Sequence, residues 1–74
     1  MNKLHLGCGK DIKNGYVNLD SMKLPGVDVV HNLDNYPWPF KKNEFDYILA
    51  SHVLEHLSDI IRPAEEIWRI SKPN

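Results

Sequence analysis

A chain of 74 residues, 42% hydrophobic and 26% charged, has room for one small domain or part of one, and its formal net charge of −1 gives no basic footprint for nucleic acid. No apolar run approaches the roughly 20 residues of a membrane span, and no basic-then-apolar leader opens the sequence. The single cysteine, Cys8, excludes an internal disulfide, and a reducing cytoplasm is the expectation.

The first predicted element is a strand over Lys3 to Leu6, ended by Gly7 in the run LHLGCGKDIKNGYVNLD. A second strand spans Tyr16 to Leu19 and ends on Asp20. Between them KDIKNG is too short for the helix that a dinucleotide-binding unit places behind its glycines to face a pyrophosphate. A loop or single turn is expected there. After a turn at Leu24-Pro25-Gly26, the β-branched stretch Val27 to Leu33 predicts a third strand.

NYPWPFKKNE reads as a loop, broken by Pro37, Pro39 and the polar run Lys41 to Glu44. Trp38 and Phe40 are expected to pin it to the core, with Trp38 beside a ligand base as the alternative. The nearly continuous apolar run Phe45 to Ala50 predicts a fourth strand, buried on both faces as in a parallel sheet. The last element is a helix with Pro63 in its first turn, led in by Ser58-Asp59, Ile60 and Ile61 and stopped by Lys72-Pro73. Ala64, Ile67, Trp68 and Ser71 form its expected inward face, and Glu65 with Arg69 an outer i,i+4 pair.

The chemistry gathers where the strands end, since parallel α/β sheets bind ligands just outside their carboxyl edges. The first strand delivers Gly7, Cys8 and Gly9, and the second Asp20 and Ser21. The third delivers Asn32, Leu33 and Asp34, and the fourth Ser51 and His52. Glycines let the backbone approach a ligand closely. A carboxylate at Asp20 can accept from two vicinal ribose hydroxyls, an Asn32 amide can meet a purine edge, and the Leu33 N–H can serve a ring nitrogen. Such a rim suits a nucleoside without a phosphate clamp. His31, within the β-branched run, reads as structural.

These same stretches carry a resemblance. LHLGCG, VNLD, NLDNYPWPF, FDYILASHVLEHL and EEIWRISKPN together resemble the N-terminal part of a class I S-adenosylmethionine-dependent methyltransferase, of the subgroup with a reduced first helix. The resemblance implies an α/β, truncated Rossmann-like parallel sheet of strand order 3-2-1-4 with few helices, a single partial domain over residues 1–74. It also implies S-adenosyl-L-methionine as cofactor. Gly7, Cys8 and Gly9 would then meet its methionine part and Asp20 its ribose. Asn32 and Leu33 would face the adenine, and Ser51 with His52 would line the wall near the methyl group. The methyl acceptor stays unknown, and no general base is assigned. His5 stands where the family usually has an acid, the third glycine of its motif is absent, and Asn32 replaces a commoner Asp.

With that strand order Phe45 to Ala50 forms an open edge, which natural proteins normally cover. A second copy, another polypeptide or the remainder of a longer protein of which this is a fragment is the expected cover, and turnover by these residues alone is not expected. Two other function classes remain open. His52-Val53-Leu54-Glu55-His56 fits the H-x-x-E-H pattern of zinc hydrolases, and the chain could instead be a non-catalytic oligomerisation or partner-binding module. Cys8, in a glycine turn, reads as a small buried hydrophobe rather than a reactive thiol.

Overall fold

The structure is a computed structural model that describes residues 2–50, 53 and 57–73. Four strands, β1 (Lys3–Leu6), β2 (Val17–Asp20), β3 (Val29–Val30) and β4 (Tyr47–Ala50), are followed by one helix, α1 (Ile61–Ile70). They form one sheet of order β3-β2-β1-β4 in which every neighbouring pair is parallel. This is a small Rossmann-like α/β fold, as the resemblance implies. All four strands therefore point their carboxyl ends toward one rim.

The register sorts the side chains. Leu4 pairs with Val17 and Ile48, and Leu6 with Leu19 and Ala50. With the two-residue alternation of a strand, these six share one face. On that face Leu4, Leu6 and Leu19 are fully buried with Trp38, Phe45, Leu33 and Ile70. One helix and the loop between β3 and β4 thus cover this side. The loop behaves as expected: Trp38 is buried and Phe40 packs against the core, edge-on to Phe45 with 5.0 Å between ring centroids.

The opposite face is organised differently. His5, paired with Asn18, is buried there although both are polar. Asn18 is the hub. Its Oδ1 accepts the Lys13 N–H at 3.0 Å, and its Nδ2 donates to the carbonyls of Lys13 at 3.0 Å and Tyr16 at 3.2 Å. Since Oδ1 only accepts, His5 Nδ1, 3.3 Å away, carries the hydrogen of that contact. The Asn18 backbone N–H donates to Asp28 Oδ2 at 2.8 Å, and its carbonyl accepts from the Asp28 N–H at 2.8 Å. The expected loop, with no helix between Gly9 and Tyr16, is what one side-chain amide holds in place.

Several expectations are corrected. The third strand is only Val29–Val30, because residues 31–35 turn on themselves: the Asn35 N–H donates to the Asn32 carbonyl and the Asp34 N–H to Asn32 Oδ1, both at 2.9 Å. Asn and Asp divert backbone into such turns, which overrides the β-branched signal. The second strand starts at Val17 rather than Tyr16. Phe45 stands outside β4 and forms an isolated parallel bridge with Ser71. Nor is β4 buried on both faces. It lies at the edge of the described sheet, its residues are at best half-buried, and Tyr47 is 50% exposed.

The helix rotates away from its expected face. Pro63 and Ile70 are its buried residues and Ile67 packs on the core, whereas Ala64 is exposed, Trp68 is 79% exposed, and Ile60 and Ile61 are 73% and 69% exposed. The reason is polar. Arg69 turns inward to donate to the carbonyls of Phe40 at 2.9 Å and Trp38 at 3.2 Å, and it pairs with Glu66 at 2.8 Å rather than with Glu65. Glu66 Oε1 in turn accepts the Trp38 N–H. This clamp fixes which side of α1 faces the loop. Asp59 Oδ1 accepts the Ile61 N–H at 2.8 Å, which starts the helix where Ser58-Asp59 predicts.

Two predictions follow from these contacts. Asn18→Ala takes the partner from three part-buried backbone groups, the Lys13 N–H and the Lys13 and Tyr16 carbonyls, where a fully buried group left unpaired costs about 1–3 kcal/mol. Urea denaturation should show a loss of about 2 kcal/mol or more, with Tm lowered by roughly 8–16 °C in a domain this small. The Arg69 hydrogen bond, aided by the Trp38 N–H, holds the Glu66 carboxyl below its ordinary 4.5. Its stabilisation is therefore present above that value and lost as pH falls through the lowered one. Asp46, lowered chiefly by the Asn2 N–H, adds to the same loss from below 3.8. Stability should decline on acidification between roughly pH 5 and pH 3, and Glu66→Gln should lower stability at neutral pH while flattening that decline.

Candidate functional site

A cleft of about 240 Å³ opens along the carboxyl rim of the sheet, lined by Gly7, Leu19, Asp20, Ser21, His31, Asn32, Leu33, Asp34, Val53 and Leu57. Three of the four expected strand ends therefore converge. Ser51 and His52, and with them Glu55 and His56, lie outside the described residues. Among the described residues no group of three or more His, Cys, Asp and Glu side chains is arranged to hold a metal ion.

Each wall has a local cause. Gly7 ends β1 at φ +65°, and a Cβ there would lie 2.6 Å from Val53 Cγ2. Only glycine lets the post-β4 segment close onto the β1 end. Gly9, at φ +55°, has open space where its Cβ would be. Between them Cys8 does not line the cleft. It is buried beneath the turn, with its N–H donating to the Leu19 carbonyl at 3.0 Å. Burial, with the Asp20 carboxylate nearby, pushes its thiol up, away from the thiolate form that acts as a nucleophile.

Asp20 closes the turn as well as facing the cleft. Its Oδ1 accepts the Gly9 N–H at 3.1 Å and its Oδ2 the Met22 N–H at 3.0 Å. A carboxylate offers about four acceptor positions, so two backbone bonds orient the group and leave capacity on both oxygens. Ser21 lies beside it, exposed.

On the far side Asp34 Oδ1 accepts from the Ser58 hydroxyl at 2.8 Å and the Ser58 N–H at 3.2 Å. That clasp ties the turn after β3 to the segment after β4, which brings Leu57 to the cleft wall. The Leu33 carbonyl accepts from Trp38 Nε1 at 3.0 Å. Trp38 therefore sits behind Leu33 in the core and does not flank the cleft, a correction to the alternative reading of its position. His31 is the lining residue that sequence reasoning treats as structural. The signal was its place one residue beyond the true end of β3, hidden by the overlong strand.

The lining carries two carboxylates, Asp20 and Asp34, and among the described residues no lysine or arginine. No helix begins behind the glycine turn, since residues 7–16 run through turns directly to β2. The rim thus lacks both devices that hold phosphate: cations and the N–H groups of a helix start. It suits a neutral or cationic ligand rich in hydroxyl and amine groups.

Residues 5–74 match the protein family described as Methyltransferase domain, a match that spans all but the first four residues. No curated protein and no solved structure matches the chain.

The two glycines should respond differently to the same change. Gly7→Ala combines left-handed backbone strain of about 1–2 kcal/mol with a clash at Val53. Gly9→Ala carries the backbone strain alone. Chemical denaturation should rank Gly7→Ala as the more damaging by at least about 1 kcal/mol, and equal losses would mean that Val53 moves aside.

Proposed function

The chain belongs to the methyltransferase-domain family, and from that premise we propose that the cleft binds S-adenosyl-L-methionine as the cofactor-binding part of a methyltransferase. The observation that carries this reading is Asp20, oriented by the N–H groups of Gly9 and Met22 with acceptor capacity to spare. Two vicinal hydroxyls of a ribose match that capacity.

The rest of the donor set supports the fit. The cofactor has a sulfonium and an amino group and no phosphate, which agrees with an acidic lining and a glycine turn without a helix. A volume of about 240 Å³ is below the ~300–1,000 Å³ usual for whole ligand pockets. It is suited to the sugar-and-base part, with Gly9, which has open space where a Cβ would be, leaving the backbone accessible toward the methionine part. Ser51 and His52 belong to this proposal as the wall near the methyl group.

When bound, the cofactor supplies a methyl group activated on a sulfonium sulfur. The chain's own contribution is positional. Asp20 fixes the ribose, and Asn32 and Leu33 with the clasp of Asp34 on Ser58 shape the base end. Gly7 and Val53 set how closely the backbone approaches. Holding donor and acceptor at near-attack distance can supply most of the rate in such a transfer. No residue is assigned as a general base, and the acceptor is left open.

Calorimetric titration with S-adenosylhomocysteine tests the reading. Binding is expected, weakened about 10–100-fold in Asp20→Ala through loss of hydrogen bonds to a charged group. Adenosine should compete for the cleft and adenosine 5′-monophosphate should not, because its phosphate meets carboxylates. Tight binding of the monophosphate, or no binding of S-adenosylhomocysteine, would overturn the proposal.

A further inference from the structure

We propose that His31 selects a 6-aminopurine at the cleft by accepting a hydrogen bond from the exocyclic amine through Nδ1. The inference rests on the cofactor reading above, and its test separates the two.

His31 is held at the cleft by its backbone, whose N–H donates to the Asp20 carbonyl at 3.0 Å. Its Nε2 lies 2.9 Å from the Asn35 carbonyl oxygen. A carbonyl oxygen only accepts, so Nε2 carries the hydrogen, and in the neutral imidazole Nδ1 is then a lone-pair acceptor. Asn35 is itself fixed, because its N–H donates to the Asn32 carbonyl at 2.9 Å. The tautomer is thus set by backbone that does not titrate.

The adjacent residue has the complementary polarity. Asn32 Oδ1 accepts the Asp34 N–H at 2.9 Å, which settles the orientation of the amide and leaves Nδ2 as its donor. An acceptor on His31 and a donor on Asn32 therefore stand on successive residues of the cleft lining. The edge of adenine pairs an amine, which donates, with a ring nitrogen, which accepts. A 6-oxopurine reverses both: its oxygen accepts and its N1–H donates. The first pattern matches the two side chains at both positions, and the second opposes them at both.

Calorimetry with S-adenosylhomocysteine and S-inosylhomocysteine, which differ only at the 6-position of the base, tests the assignment. The natural sequence should bind the amino ligand at least about tenfold more tightly. His31→Phe should weaken the amino ligand about tenfold and leave the oxo ligand bound no less tightly than before, so that the preference collapses. His31→Gln, whose amide can donate to the Asn35 carbonyl and accept from an amine, should keep most of the preference. Equal affinity of the natural sequence for both ligands would overturn the inference without any variant having to fold. So would a variant that weakened both ligands alike, the mark of a merely structural role. If the natural sequence bound neither ligand, the cofactor reading itself would fall, and the inference with it.

Discussion

The Asn18 side-chain amide is the contact on which the rest of this molecule depends. Parallel neighbours need a connection that carries the chain back along the sheet, and a helix usually makes it. Here the connection from β1 to β2 is ten residues without a helix, and its polar backbone has no ladder of its own. Asn18 supplies partners from the middle of β2, accepting from Lys13 and donating to Lys13 and Tyr16. Two amide hydrogens face three acceptors, the third being Asp28 Oδ2 at 3.4 Å, so the outermost contact is the weakest. The same amide accounts for a buried histidine. His5 finds its acceptor on Asn18 Oδ1 and its ring neighbour in Tyr16, 6.3 Å away edge to face.

What that economy yields is a rim made of backbone turns and carboxylates. A helix start behind the glycines would favour anionic ligands through its exposed N–H groups. Without it, the N–H of Gly9 is spent on Asp20, and the field in the cleft is set by Asp20 and Asp34. Replacing a phosphate-binding device with two acids changes the class of ligand the same sheet can hold. Sheet order and strand ends are those of a Rossmann-like fold, but two carboxylates and no basic side chain among the described lining residues set the rim against a phosphate.

Much of this was legible in the sequence, because strand ends are marked by residue types with few alternative uses. Gly7, Asp20, Ser21, Asn32, Leu33 and Asp34 all reach the cleft, since each follows an apolar run that the parallel sheet aligns. The strand order itself came from the resemblance, and the apolar run Phe45 to Ala50 pointed only to a parallel sheet. What was not legible depended on partners distant in sequence. Helical spacing marks Ile60, Ile61, Ala64 and Trp68 as one apolar stripe and Pro63, Ile67 and Ile70 as another, and nothing in the period says which is buried. The choice was made by Arg69, whose partners on Phe40 and Trp38 lie about thirty positions away. Likewise Glu66 displaced Glu65 as the ion pair because it also receives the Trp38 N–H. His31 was missed because β-branched neighbours overstate strand length when an Asn turn follows.

One chain of contacts joins these distant parts to the cleft. Glu66 and Arg69 hold the backbone of Trp38 from both sides, through its N–H and its carbonyl. Trp38 then reaches past the core and donates from Nε1 to the Leu33 carbonyl, on the residue that follows Asn32. The turn bearing the cleft's polar groups is thereby anchored to α1 through a buried indole rather than through the sheet. Two-residue β3 contributes too little ladder to position residues 31–34 by itself. The clasp of Asp34 on Ser58 anchors the same turn from the other side. A short strand therefore suffices at this place, because the geometry of this end of the cleft is carried by one tryptophan and one carboxylate and not by sheet hydrogen bonds.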